Sequence, residues 1–124
     1  MNTKLLGRWG EEQAARYLQK KGYKIVGMNY KNRFGEIDII AQWKKAIVFV
    51  EVNSRKDDTF AEAREFVDDN KKIKLVTVAG MWVCDHDETE LQPRFDVIEV
   101  YAPNGTDTDS PKINHIINAF HAKV

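Results

Sequence analysis

Two short apolar runs in the middle of the sequence constrain its fold most. Ile37–Ala41 and Ala46–Val52 are rich in Val, Ile and Phe and are too short for ordinary helices, which favours β-strands. The connection between them is too short for a crossover helix, so the two strands are predicted to form an antiparallel hairpin. If the chain reverses in the middle of this connection, paired residue numbers sum to 89 and Asp38 lies directly opposite Glu51.

The facing carboxylates of Asp38 and Glu51 permit two interpretations. Side chains at directly opposed positions have Cβ atoms about 4.5–5.5 Å apart, and two carboxylates that close repel each other unless a cation lies between them. The alternative is that both acids point to solvent from the polar face of a half-buried hairpin. The turn contains neither Gly nor Asn, so the register behind both interpretations is itself an assumption.

The residues of this hairpin resemble a known family. Gly35-Glu36-Ile37-Asp38, followed by Phe49-Val50-Glu51-Val52, are similar to the motif of the YraN-like family of small bacterial proteins. That family looks like a branch of the PD-(D/E)XK, restriction-endonuclease-like superfamily and also resembles archaeal Holliday-junction resolvases. Further matching residues, spread over nearly the whole chain, are Gly7-Arg8-Trp9-Gly10-Glu11, Ala14, Tyr17-Leu18, Gly22-Tyr23, Asn29, Arg94-Phe95-Asp96-Val97 and Asn118-Ala119-Phe120.

The resemblance implies a fold and a metal centre. The expected fold is one α/β domain over residues 1–124, restriction-endonuclease-like, with a central mixed β-sheet of about four to five strands flanked by helices. Glu11, Asp38 and Glu51 would supply oxygen ligands of the kind that suit Mg²⁺ or Mn²⁺, and the main-chain carbonyl of Val52 would be a further ligand. Such an ion would activate a water and polarise a phosphodiester oxygen.

Basic residues near these acids are the candidate phosphate ligands. The family motif commonly continues to an arginine at the position of Arg55, and Lys56 follows it directly. Arg33 precedes the hairpin, and Lys71 and Lys72 open a predicted helix. Lysines at a helix end are also common as a solvated face, so phosphate binding and simple solvation both remain open for the last two.

One position departs from the family pattern. The usual triplet is Glu-Val-Lys, whereas this chain has Glu51-Val52-Asn53. Asn53 can orient a water by hydrogen bonding, but it cannot supply the positive charge that a phosphoryl transition state rewards. Asp38, Glu51 and Asn53 are therefore the candidate catalytic residues, with Lys56 or a lysine of the 71–74 cluster as a hypothetical replacement for the missing charge.

An N-terminal helix is expected from about Leu5 to Lys21. Its apolar stripe contains Ala14, Ala15 and Leu18, and Glu11 falls on the same stripe. Glu11 is thus predicted to turn toward the protein, where a carboxylate needs a partner. The alternative is a first-turn glutamate that is favoured only by the helix dipole.

The remaining elements follow from local patterns. We expect a strand at Tyr23–Tyr30, a short helix at Ala61–Val67, a helix at Lys71–Val83 in spite of its β-branched residues, and a strand at Arg94–Tyr101 that closes the sheet. Ile113, Ile116, Ile117 and Phe120 have helical spacing but fit a strand followed by a turn equally well. Both assignments stay open.

Asp96 and the histidines are expected to be structural. Asp96 is predicted to pair with Arg94 or another basic group rather than to bind a metal. His86, His115 and His121 lack metal-ligand spacing, which favours packing or surface roles.

Charge and composition bear on partners and location. Residues 1–56 carry 12 Lys and Arg against 5 Asp and Glu, a net of +7, and residues 57–124 carry 7 against 14, a net of −7. A basic half that holds the acidic pair suits a polyanion such as DNA, although ordinary solubilising charge explains the asymmetry as well. A single cysteine, no signal-peptide core and no apolar run of ~20 residues favour the cytoplasm and no membrane association.

Three functions remain from the sequence. The first is a metal-dependent nuclease acting on DNA, and the second is a weakened member of the same fold that binds nucleic acid without cutting it. The third is a protein-interaction module. Resolvase-like relatives often work as dimers, so a homodimer is possible, but no stretch of this sequence demands an interface.

Overall fold

The computed structural model describes residues 3–56, 69–86 and 90–121. Its elements follow one another along the chain in mixed α/β order. They are α1 (Thr3–Lys20), β1 (Lys24–Asn32), β2 (Gly35–Trp43), β3 (Ala46–Arg55), α2 (Asp69–Asp85), β4 (Gln92–Tyr101), a 3₁₀ turn (Gly105–Asp107) and β5 (Lys112–Phe120).

The five strands form one mixed sheet in the order β1-β2-β3-β4-β5. Neighbouring strands are antiparallel except for β3 and β4, which are parallel and are connected through α2. A parallel pair requires such a crossover, whereas the antiparallel pairs are joined by short turns. The predicted α/β architecture, a mixed sheet flanked by helices, is therefore confirmed.

Each helix covers one face of the sheet. Alternate residues of β3 point to opposite faces: Val48 and Val50 pack in the cluster that contains α1, whereas Ile47 and Phe49 pack in the cluster that contains α2. The predicted helices at Leu5–Lys21 and Lys71–Val83 are thus present, shifted by a few residues at their ends. Neither helix, over the residues that the structure describes, is long and apolar enough to cross a membrane.

The hairpin of β2 and β3 has the predicted register. Its paired residues run from Ile39 with Val50 to Trp43 with Ala46, so their numbers sum to 89 throughout. Lys44 takes up the tight reversal with a φ of 54°, a conformation that non-glycine residues adopt only infrequently. The turn therefore closes without the Gly or Asn that such turns usually contain.

The C-terminal strands correct one prediction and decide another. Arg94–Tyr101 is a strand, but the expectation that it closes the sheet is wrong, because β5 pairs along its outer side. The segment that was open between helix and strand is β5. Both faces of this strand bury apolar residues: Ile113 packs on the α1 side and Ile116, three positions later, on the α2 side. The sequence therefore shows a spacing of three that resembles a helix. The helix predicted at Ala61–Val67 lies outside the described residues.

Asp96 is the centre of a buried polar cluster on the α1 side. Arg94 donates to both of its carboxylate oxygens at 2.9 and 2.8 Å, His115 Nε2 lies 2.7 Å from Oδ2, and the Asn118 N–H donates to Oδ1 at 3.1 Å. Burial alone would raise the pKa of Asp96, but the hydrogen bonds from His115 and Arg94 outweigh it and hold that pKa below its usual value. The structural pairing expected of Asp96 with Arg94 is present.

Gly10 lets α1 approach β3 closely. A methyl group at this position would overlap Ser54 Oγ and lie 3.2 Å from Ser54 Cβ. The Ser54 hydroxyl donates in turn to the carbonyl of Leu6 at 3.4 Å. Since Glu11 follows Gly10 directly, this contact sets the position of Glu11 over the sheet.

Replacement of Gly10 by alanine tests this close approach, with Gly7 as the matched control. Both glycines lie in α1, so Gly→Ala gives each about 1 kcal/mol of helix propensity, but a methyl group at Gly7 meets nothing within 4 Å. We expect Gly10→Ala to be less stable than Gly7→Ala by about 1–3 kcal/mol because of overpacking. Urea denaturation measures the difference. Adding Ser54→Gly to both variants should reduce this difference in the free energy of unfolding. Equal stabilities of Gly10→Ala and Gly7→Ala would contradict the close contact of Gly10 with Ser54.

Candidate metal centre

The ladder between β2 and β3 stops where the acidic pair begins. Its last pair is Ile39 with Val50, and beyond it the main-chain N–H of Val52 donates to Asp38 Oδ2 at 2.8 Å. Ile37 packs on the α2 side, although Ile39, two residues later, packs on the α1 side. Strict alternation is therefore broken at Asp38, and the two strands part there around its carboxylate.

Glu51 is a buried acid with one oxygen satisfied. Only 6% of the residue is exposed, and its Oε1 forms an ion pair with the ammonium of Lys71 at the start of α2. Its Oε2 is buried and has no hydrogen-bond partner among the described residues. A buried oxygen of this kind costs free energy until a donor or a cation satisfies it.

Glu11 and Asp38 contact each other. Burial, the charge of Asp38 and a hydrogen bond to that carboxylate raise the pKa of Glu11 from 4.5 to about 7, while a hydrogen bond with Asn29 opposes the shift. Burial also raises the pKa of Asp38, against the opposing effect of the Val52 N–H. Both carboxyls are therefore easier to protonate than exposed acids are.

Two neighbouring cavities are lined by these acids and share Glu36. One, of about 460 Å³, is lined by Gly35, Glu36, Asp38, Glu51, Asn70, Lys71, Lys74 and Leu75. The other, of about 670 Å³, is lined by Lys4, Gly7, Arg8, Glu11, Glu12, Met28, Asn29, Lys31 and Glu36. Asp38 and Glu51 both line the first, Glu11 lines the second, and Glu36 lines both. Two of the three acids predicted from the sequence therefore share one cavity, and the third lies in the neighbouring one.

The donor set fits a hard divalent cation. The carboxylates of Asp38 and Glu51 line one cavity, Glu51 Oε2 lacks a partner among the described residues, and oxygen ligands are those that Mg²⁺ and Mn²⁺ prefer. With the side chains in their present positions, no three Asp, Glu, His or Cys residues of the described ranges lie close enough together to hold a metal ion. Glu51 is paired with Lys71 instead, so an ion would have to take over that carboxylate.

Val52 and Asn53 continue β3 past this pocket. Val52 packs on the α1 side and gives its N–H to Asp38, while the role predicted for its carbonyl stays a prediction. Asn53 is half-buried and pairs with Glu99 of β4. By strand alternation Asn53 lies on the face of Glu51, one step further along it.

Three of the predicted phosphate ligands lie around the pocket rather than in it. Arg55 forms an ion pair with the buried Glu99 and keeps 21% of its side chain exposed. Lys56 is exposed and lines a separate cavity beside Tyr101. Arg33 is exposed, with its guanidinium 4.8 Å from the centre of the Phe34 ring.

The lysines at the start of α2 divide by helical position. Lys71 contacts Glu51 and lines the first cavity. Lys74, three residues later on the same face of α2, lines that cavity too. Lys72 points elsewhere, with its ammonium 5.8 Å from the centre of the Phe120 ring. Lys74 is therefore a residue of the pocket that was named from the sequence only as part of the lysine cluster 71–74. Its i, i+3 spacing from Lys71 was the sequence feature that could have identified it. Asn29, the partner of Glu11, had no sequence signal beyond the resemblance.

Comparisons with known proteins point to one family. The sequence matches the profile of a family described as uncharacterised protein family UPF0102 over residues 10–100. It is 47% identical to a UPF0102 protein of Caldanaerobacter subterraneus subsp. tengcongensis, covering 97% of this chain and 98% of the relative. It is 42% identical to a UPF0102 protein of Clostridioides difficile, covering 97% of this chain and all of the relative.

The pH dependence of stability tests the environment of Glu11. A carboxyl whose pKa is raised on folding stabilises the protein below its unfolded pKa of about 4.5, and that contribution is lost as the pH rises through about 7. Without divalent ions, the free energy of unfolding should fall between pH 5 and 8, and Glu11→Gln should make the fall shallower. Denaturant titrations at several pH values measure this. Glu12→Gln, the same charge change on an exposed neighbour, is the control, and an unaltered slope in Glu11→Gln would refute the interpretation.

Proposed function

The chain belongs to the uncharacterised protein family UPF0102, and from that premise we propose that it is a nuclease of restriction-endonuclease-like architecture that hydrolyses DNA with Mg²⁺ or Mn²⁺. The observation that carries this proposal is the buried oxygen of Glu51, which has no partner among the described residues and belongs to a cavity that Asp38 also lines. A divalent cation is the partner that satisfies such an arrangement best. Kinship of fold is supported by the mixed sheet, in which an antiparallel hairpin precedes a crossover to a parallel strand.

In this proposal each acid has a distinct part. Asp38 and Glu51 would hold the ion, with Glu11 as the third carboxylate, and the bound ion would supply an activated water and polarise the scissile phosphate. The Val52 N–H fixes the orientation of Asp38. Glu11, whose pKa is raised to about 7, would have to be deprotonated to serve as a ligand.

Lys71 is the residue that replaces the lysine missing at position 53. Its ammonium contacts Glu51, and its charge lowers the pKa of Asp38, so it lies within electrostatic reach of both proposed ligands. A positive charge next to the ion is what the anionic transition state of phosphodiester hydrolysis requires. The same charge can be delivered from the start of α2 as well as from β3, because both elements border one cavity.

The second candidate is a module of the same fold that binds nucleic acid or a protein without cutting. Asn53 is the observation that favours it, because an uncharged side chain stands where active nucleases of the superfamily carry lysine. The Glu51–Lys71 ion pair serves equally well to neutralise a pocket that has lost its ion. Cleavage by the wild-type protein decides between the two candidates.

Metal binding is expected to stabilise the wild-type protein. Mn²⁺ that binds only the folded state at 100 times its Kd should add about 2.7 kcal/mol to the free energy of unfolding. Asp38→Asn should lose this gain, since it removes a ligand charge but keeps an oxygen that can accept from Val52. Thermal unfolding with Mn²⁺ and with EDTA measures it. Glu36→Gln, an exposed acid of both cavities, is the control. An equal gain in Asp38→Asn would place the ion elsewhere.

Cleavage of labelled DNA in Mn²⁺ tests the role of Lys71. Lys71→Met should slow cleavage by about 10²–10³-fold, the usual loss when one charge-stabilising group is removed. Lys72→Met, which removes the same charge one residue away on another face of α2, should leave the rate nearly unchanged. Asn53→Lys should restore activity to Lys71→Met. If the wild type does not cut and Asn53→Lys alone does, no other lysine fills the role.

A further inference from the structure

The turn between β1 and β2 carries an unusual exposed ring. Asn32 pairs with Gly35, so the loop consists only of Arg33 and Phe34. Phe34 is 39% exposed, and it is the only aromatic residue among the large apolar side chains exposed in the described ranges. Neither the hairpin nor the metal centre needs a ring at this position.

This turn is held in place on the body of the protein. The Phe34 N–H donates to Asn32 Oδ1 at 2.8 Å, and Asn32 Nδ2 lies 3.6 Å from the sulfur of Met81 in α2. Gly35 lies against α2 as well, where an added methyl group would be 3.4 Å from a Val78 methyl carbon. A ring on a fixed turn loses little conformational entropy when a flat ligand stacks on it.

The ring is close to the acidic pocket. Gly35 and Glu36, which follow it directly, line the cavity that contains Asp38 and Glu51. From Phe34 to Asp38 the strand advances by roughly 13 Å at ~3.3 Å per residue.

One cation lies against the ring, and two lysines lie on neighbouring elements. The Arg33 guanidinium lies 4.8 Å from its centre, and Arg33 makes no ion pair within the described part of the chain. Lys31 lies on the preceding strand at the mouth of the second cavity, and Lys74 lies beside Gly35. An apolar protein surface would gain little from these cations, whereas a nucleic acid offers a flat base to the ring and phosphates to the charges.

We propose that Phe34, supported by Arg33, is a stacking platform for an unpaired nucleobase of the strand whose phosphate lies at the Asp38–Glu51 pocket. This inference rests on the proposed function and narrows it, because a base inside an intact duplex cannot reach an isolated ring. The preferred ligand is then single-stranded DNA, or a junction of single and double strand, rather than continuous duplex. Stacking on an aromatic side chain tolerates every base, so no sequence preference follows from it.

Fluorescence anisotropy in EDTA, where cleavage cannot occur, tests the platform. The probes are a labelled single strand of about 16 nucleotides, the upper site size of common single-strand binding folds, and the corresponding blunt duplex. Phe34→Leu keeps an apolar side chain but removes the flat ring, and it should weaken single-strand binding about 5- to 100-fold while it leaves duplex binding unchanged. Phe34→Trp should bind the single strand at least as tightly as the wild type. Ile117→Ala, at an exposed apolar position on the opposite edge strand, should change neither affinity.

The outcomes separate this inference from the function on which it rests. Equal affinities of wild type and Phe34→Leu for the single strand, or an equal loss for strand and duplex, would overturn the platform alone. A wild type that binds neither DNA would overturn the proposed function and the platform together. Unchanged thermal unfolding of Phe34→Leu verifies that the variant is folded, as its exposed position leads us to expect.

Discussion

The hydrogen bond from the Val52 N–H to Asp38 Oδ2 determines how the centre of this molecule is built. In an ideal hairpin that N–H would face solvent or a partner strand, but here a carboxylate accepts it and the two strands separate. A hydrogen bond to a charged acceptor contributes about 1.5–3 kcal/mol, enough to hold the strands in this divergent geometry. The gap so formed is the cavity that admits the start of α2 and brings Lys71 onto Glu51.

Electrostatic compensation in this pocket comes from several elements. Burial and the charge of Asp38 on β2 raise the pKa of Glu11 on α1, and Glu51 on β3 forms an ion pair with Lys71 of α2. Each effect reduces the cost of burying negative charge, yet one oxygen of Glu51 has no partner within the described part of the chain. By contrast, Asp96 on the other face has every hydrogen bond it needs. The cluster around Asp96 is thus fully hydrogen-bonded, whereas the acidic pocket leaves one buried carboxylate oxygen unsatisfied among the described residues.

Local pattern was sufficient to predict the hairpin and the inward stripe that carries Glu11, because both rest on the periodicity of neighbouring residues. The register had to be assumed from a central reversal of the chain, and the structure has that register. The last segment was ambiguous because Asn118, at a φ of 56°, interrupts β5 near a register shift and disturbs its alternation. The place of β4 inside the sheet could not be predicted, since it depends on a strand from later in the chain. The contact of Lys71 with Glu51 depends in the same way on long-range packing across the crossover.

The parallel pairing of β3 and β4 has a consequence for how the chain folds. The hairpin of β2 and β3 needs only local contacts, whereas the parallel pair must first close a long loop and lose its entropy. Glu51 stays hydrated until α2 docks, so the penalty for removing its charge from water falls on that late step. The buried carboxylate of Glu51 therefore opposes the docking of α2, and Lys71, which α2 itself carries, offsets part of that penalty as the helix docks.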